Sequence, residues 1–146
     1  MSDANRSKII VALQLILMLF IFLSGHIIPR NPIYLVLFLT GVFLGIWAVY
    51  SFRSTRFSIS PQVAKNASLI TSGPYQYIRH PMYSAVILVC FSLVANSPTL
   101  ERIIALIILT AVLIYKTSME EKFLHNHFKE YGIYVKKTKK LIPFIY

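Results

Sequence analysis

Apolar residues in this chain come in long unbroken runs, set apart by short polar stretches that carry prolines. Ile9–Ile28 and Ile33–Phe52 are each twenty residues long and almost free of charge. A helix needs about 20 apolar residues to cross a hydrocarbon core of ~30 Å, so both runs predict transmembrane helices, with Pro29 and Pro32 bounding the turn between them. A third run, residues 82–95, is short. It either spans with local thinning of the bilayer or forms a hairpin with the fourth run, residues 99–116, that does not fully cross. Asn96, Ser97 and Pro98 predict the turn between these two. Either geometry leaves both chain ends on one side. After Tyr115 the chain turns polar without a breaker, so the fourth helix is expected to leave the bilayer and lie along the interface. Glu120, Leu124, Phe128 and Tyr131 fall near one stripe of this extension, and Gly132 is its expected stop. The expected architecture is an all-α integral membrane protein forming one domain over residues 1–146. It has about four transmembrane helices, a loop at 53–81 and a C-terminal segment at 117–146.

Composition agrees. The 146 residues are 56% hydrophobic with a mean hydropathy of +0.64, too apolar for a soluble domain of this size. The first run has a basic flank in Arg6 and Lys8, as a signal peptide would. Its length exceeds the usual ~7–15 residues of such a segment and no small-x-small cleavage site follows, so it is read as a retained helix. Cys90, the single cysteine, lies within the third run and reads as a buried small hydrophobe.

A net charge of +10 does not point to nucleic acid, because the basic residues sit between apolar runs, as they do beside anionic lipid headgroups. One side collects thirteen Lys and Arg, from Arg6 and Lys8, from Arg53, Arg56, Lys65 and Arg79, and from the tail beginning at Lys116. The other side has two, Arg30 and Arg102. This bias predicts a cytosolic location for both termini and for the middle loop. Asn66-Ala67-Ser68 matches a glycosylation sequon, which a cytosolic loop leaves unused.

Candidate chemistry gathers at that face. A loop of this length is usually functional. It ends in Arg79-His80-Pro81, and Pro81 suits the first turn of a helix. The free N–H groups at such an end attract a carboxylate or phosphate, Arg79 adds a positive charge, and Tyr75, Tyr77 and Tyr83 offer flat faces to a ring or a cation. The bland alternative is a helix start with an interfacial tyrosine belt. Glu120 and Glu121 are two of only five acidic residues. As helical neighbours they point about 100° apart and are not expected to face one site together. Glu120, on the stripe, is the better candidate to face inward as a base or an anchor for a cation, while Glu121 could pair with His125 on a solvated face. Glu121, His125 and His127 make a weak metal set, and no metal site is expected. His26 reads as a satisfied interfacial residue. There is no G-x-G-x-x-G or Walker loop, so a Rossmann-type cofactor domain is excluded.

Ser72, Gly73, Tyr75, Arg79, His80, Pro81 and Tyr83, followed by Glu120, Glu121, Leu124, Phe128, Tyr131, Tyr134 and Pro143, resemble in order and spacing the signature of the isoprenylcysteine carboxyl methyltransferase family, itself similar to the membrane phospholipid methyltransferases. The resemblance covers a little over half the chain, from about Ala67 to the C-terminus. It implies methyl transfer from cytosolic S-adenosyl-L-methionine to a lipophilic acceptor drawn from the bilayer, with membrane lipids as the remaining partners. By the same resemblance, a strand-like stretch of Ala67, Ser68, Leu69 and Ile70, with Tyr75 and the segment His80, Pro81, Met82 and Tyr83, would line the cofactor pocket. Glu120 would stand beside the cofactor, and Glu120, Lys116 and Arg79 would carry the chemistry. Lys116 occupies the position where the prenylcysteine enzymes have an arginine for the substrate carboxylate. Lysine keeps the charge without the planar fork, which opens the acceptor to a lipid amine, a thiol or another small carboxylate. Lys129 replaces the family's glycine after Phe128. Two other readings compete: a sterol-reductase-like enzyme using NADPH, whose 2′-phosphate calls for extra Arg and Lys, and a non-catalytic membrane scaffold that binds no cofactor.

Overall fold

The computed structural model describes residues 3–54 and 69–142. Arg56, Lys65, Asn66, Ala67, Ser68 and Pro143 lie outside the described residues. Five α-helices follow in order: α1 (Asp3–Leu23), α2 (Pro32–Ser54), α3 (Pro81–Asn96), α4 (Leu100–His127) and α5 (Tyr131–Lys137), with a 3-10 turn at Gly73–Gln76. The described residues contain no strand, only one isolated parallel bridge between Ile78 and Lys139.

Local sequence explains where the helices begin. Asn31 caps α2, its Oδ1 accepting from Ile33 N–H at 2.9 Å, and Pro32 takes the first helical position, where a missing N–H costs nothing. Thr99 caps α4 by accepting from Arg102 N–H. The ends depart from the hydropathy pattern. α1 covers Asp3–Leu23 instead of residues 9–28, because polar residues before Ile9 join the helix while Ile27 and Ile28 fall in the turn after Gly25. α4 ends at His127, and Gly132, expected as its stop, lies inside α5. Phe128 closes α4 with its N–H on Leu124 O and turns extended, so the stripe breaks before the glycine is reached.

α1, α2 and α4 are long and apolar enough to cross a membrane, and α3 is the shorter apolar helix. Its 16 residues rise about 24 Å, under the ~30 Å of a hydrocarbon core. α3 packs mainly on α2, and α1 mainly on α4. The α2–α3 approach is close because Gly41 faces α3: a Cβ there would lie 2.8 Å from Val89 Cγ2 and 3.2 Å from Ala85 O. Small residues allow such backbone contact where lipid supplies no hydrophobic drive between helices. Ile21, Cys90, Leu93, Leu109 and Leu113 form a core between α1, α3 and α4. Leu15, Ile16, Leu19, Phe43 and Ile46 stay exposed on the outer faces, as surfaces against acyl chains do.

Both hairpin turns meet at one end of the bundle. Asn96 Oδ1 accepts from the backbone N–H groups of Arg30 and Asn31 at 2.9 and 3.2 Å. Arg102, only 1% exposed, donates to Ile21 O at 3.1 Å, to Ser97 O at 2.8 Å and to Ser97 Oγ. It thus satisfies carbonyls at the C-terminal ends of α1 and α3, where a cation is favoured. Gly25 leaves room for its guanidinium. Arg102 is therefore a buried clamp and not a headgroup contact. The start of α1, the end of α2, the start of α3 and the tail gather at the opposite end.

Candidate functional site

Gly73 shapes the approach to that opposite end. Its φ of +59° suits glycine, and a Cβ would collide with Ser51 Oγ of α2. The 3-10 turn can therefore seat against α2, and Tyr75 is buried with Ala48 and Ile70. Tyr134 of α5 fixes the turn from the other side, its hydroxyl donating to Tyr75 O at 2.7 Å. Burial, with the charge of Glu120 second, pushes the Tyr75 hydroxyl up to about 12, and burial likewise raises Tyr134. Both remain protonated donors at any physiological pH.

The tail pins the start of α3. Lys139 N–H donates to Tyr77 O at 3.0 Å, Arg79 N–H to Lys139 O at 2.8 Å and His80 N–H to Lys140 O at 3.1 Å. Ser84 Oγ adds a bond to Leu141 O at 2.5 Å. Pro81 is buried in the first turn of α3, and no side chain caps that helix end.

Of the two adjacent glutamates Glu120 lines the cavity and Glu121 does not, as expected, but both reach one residue beside it. They straddle a single imidazole: His80 Nδ1 is 3.6 Å from Glu120 Oε2, and His80 Nε2 is 3.4 Å from Glu121 Oε1. The 100° between the two Cα–Cβ directions is what allows them to approach from two sides. Glu120 accepts from Tyr83 O–H at 2.6 Å. Glu121 accepts from Arg79 Nε at 2.7 Å and lies 3.4 Å from Lys140 Nζ, so its ionic partners are these two, and His125 instead sets its ring edge to Tyr131. Arg79 also donates to Thr138 O at 2.6 Å. His80 Nε2 is buried and has no well-formed hydrogen bond, because 3.4 Å to Glu121 is long for one.

A cavity of about 510 Å³ opens beside this cluster. Of the residues expected at the site, Leu69, Ile70, Tyr75, Arg79, His80, Met82, Tyr83 and Glu120 line it. Leu69 and Ile70 do so without regular structure, not as a strand. Pro81 supports the wall from within the fold. Lys116 is not in the lining: its Nζ reaches Gln14 Oε1 at 3.3 Å and the ring face of Tyr83 at 5.1 Å. Sequence reasoning missed Ser7, Phe52, Met119 and Phe123, which complete the wall. Ser7 and Phe52 lie at the ends of helices assigned by hydropathy, which carries no information on which turn reaches a neighbour, and Met119 and Phe123 each sit one position before a residue of the predicted stripe, Glu120 and Leu124. Gln14, the one polar residue among Ile9–Leu23, was the readable sign of a polar partner at that depth. Among the described residues no three His, Cys, Asp or Glu side chains converge as a metal site.

The cavity suits a ligand with an aromatic ring, an anionic end and a cationic centre. Tyr75 and Phe128 offer ring surfaces, the start of α3 offers its positive dipole end and the N–H of Met82, its other first-turn N–H groups being bonded to His80 O, and Glu120 offers the negative charge.

The profile of the phospholipid methyltransferase family matches residues 31–131, from the cap of α2 to the first residue of α5. The cobalt-zinc-cadmium resistance protein CzcN of Cupriavidus metallidurans is 35% identical over 81 residues, a match that covers 54% of this chain and 37% of that relative. The chain thus aligns with little more than a third of the length of this curated relative. No solved structure matches it.

Proposed function

The chain belongs to the phospholipid methyltransferase family, and on that footing we propose that it is a membrane methyltransferase that takes its methyl group from S-adenosyl-L-methionine and gives it to a lipophilic acceptor. The observation that carries this reading is the cavity at the bundle end, where Glu120, Tyr75, Tyr83 and the first residues of α3 converge. When bound, the donor supplies an electrophilic methyl on a sulfonium.

The residues present fit such a donor. The helix start would take its carboxylate, the aromatic wall its adenine, and Glu120 its cationic centre. Glu120 keeps one oxygen on Tyr83 and the other toward His80, which fixes its orientation. Met119, Phe123 and Leu124 make the α4 wall apolar, so an acceptor from the bilayer would meet a matching surface. Arg79, engaged by Glu121 and the tail, acts as a positioning residue. Lys116, held by Gln14 over Tyr83, presents a charge at the depth of the apolar wall, where an acceptor headgroup would pass. The thirteen-to-two bias of basic residues supports a cytosolic site.

A nicotinamide cofactor with a 2′-phosphate fits less well. Among the described lining residues Arg79 is the single fixed cation, and Glu121 holds it. The test is calorimetry of the purified protein with S-adenosyl-L-methionine and with NADPH, followed by incubation with radiolabelled donor and a total lipid extract. Binding of the first and label in the lipid fraction support the proposal. Binding of NADPH alone, or of neither, refutes it.

A further inference from the structure

We infer that His80 receives the proton released by the methyl acceptor, and that Glu121 is the positioning residue that orients it. The inference rests on the methyl-transfer reading. An alcohol or thiol that gains a methyl group must lose a proton, and an amine, an ammonium at neutral pH, must lose one to free its lone pair, whereas a carboxylate has none to lose. A path for that proton is built into the site. Glu120 Oε1 is occupied by the Tyr83 hydroxyl, while Oε2 faces His80 Nδ1 at 3.6 Å. On the far side of the ring, Nε2 faces Glu121 Oε1 at 3.4 Å. Glu121 is tied to Arg79 and Lys140 and lies outside the cavity lining, so it is a fixed negative charge and not a contact for ligand.

The groups facing His80 are Glu120 and Glu121 from α4, Arg79 beside it in the chain, Lys140 from the tail and the stacked ring of Tyr83. Arg79 and Lys140 are both turned to Glu121. Carboxylates flank both ring nitrogens, but Glu121 is the nearer and the less exposed, at 3.4 Å and 21% against 3.6 Å and 41% for Glu120, so it favours the tautomer with the proton on Nε2, which leaves the Nδ1 lone pair toward Glu120. As the acceptor's lone pair bonds to the methyl carbon, the carbon–sulfur bond breaks with its pair left on sulfur. The acceptor's proton passes to Glu120 Oε2 and on to His80 Nδ1. The resulting imidazolium lies between two carboxylates and later gives the proton to water. The gaps of 3.6 and 3.4 Å are longer than good hydrogen bonds, and catalytic contacts of this kind commonly tighten when substrate binds. For a carboxylate acceptor the whole relay would be idle, so the acceptor is expected to carry a proton.

The test uses the full chain in nanodiscs with four probes of equal length: dodecylamine, dodecanol, dodecanethiol and dodecanoate. Label from radiolabelled S-adenosyl-L-methionine is expected in one or more of the first three. Glu121→Gln is expected to lower kcat by about 10²-fold and to shift the pH profile, with calorimetric donor affinity held within about twofold. Independently of any variant's folding, ¹⁵N-histidine NMR of the wild type, assigned by the loss of one signal in His80→Gln, should give the Nε2–H tautomer. Label in dodecanoate alone, an unchanged kcat and pH profile in Glu121→Gln, or the Nδ1–H tautomer would each overturn the relay. Absence of donor binding to the wild type would overturn the methyl-transfer reading itself, and the relay with it.

Discussion

Arg79 Nε donates to Glu121 Oε1 across 2.7 Å, joining the loop before α3 to a point deep in α4, forty-two residues away. The pair is largely buried, with side-chain exposures of 11% and 21%, and Arg79 Nη1 donates to the carbonyls of Val135 and Thr138 in the tail. It therefore holds three parts of the site together. Arg79→Ala is expected to lower stability by about 2 kcal/mol, the range of a charged hydrogen bond lost from a partly buried setting. The tail should loosen with it. Thermal unfolding in detergent checks the first effect, and faster tryptic cleavage after Lys139 and Lys140 checks the second.

Glu120 lines the cavity while Glu121 does not, so the two carboxylates should fail differently. Glu120→Ala is expected to reduce methyl transfer at least about 100-fold with the protein still folded, because its carboxylate is open to the cavity and supports only Tyr83 and His80. Activity at the wild-type level in that variant would remove Glu120 from the site.

Gly41 meets α3 without space for a side chain. Gly41→Val must push α2 from α3, at a cost of about 1–3 kcal/mol. Since Phe52 of α2 and Met82 of α3 both line the cavity, donor affinity should fall together with the melting temperature. Calorimetry and thermal unfolding read the two effects.

Burial first, and the nearby Glu120 charge second, raise Tyr75 from 10.0 to about 12. Tyr131 also stands at about 12, with burial again the largest cause. A folded-state value above the unfolded one means that these tyrosines contribute stability fully below pH 10, and that it is lost as pH rises toward 12. Stability measured between pH 9 and 12 should fall, and Tyr75→Phe should flatten the fall. An equally steep decline in the variant would contradict the assignment.

The start of α3 and the tail are hydrogen-bonded to each other, while the two hairpin turns meet at the other end. Ser72→Cys and Lys137→Cys should therefore react with an impermeant thiol reagent from one side of a sealed vesicle, and Arg30→Cys from the other. Native Cys90 is fully buried and should stay unlabelled. Labelling of positions 72 and 137 from opposite sides would undo the site.

Hydropathy alone was enough for the four apolar helices and their hairpin order, though not for their ends or for α5, because a bilayer imposes one simple rule on each segment: about twenty apolar residues to cross. The resemblance of the segments around Tyr75, His80, Tyr83 and Glu120 to a methyltransferase signature marked these residues as a group, which their spacing alone left open against a helix start with a tyrosine belt. The partners of these residues depended on the tertiary structure. Whether Glu120 and Glu121 divide between two faces or close on one ring is set by the rotation of α4 against α3, and that rotation follows from core packing around Leu109 and Leu113. Lys116 found Gln14 across 102 positions, and Arg102 became a buried clamp because Gly25 left it a space. These contacts join residues far apart in the chain through helix faces and depths, and a linear pattern of apolar and polar positions records neither.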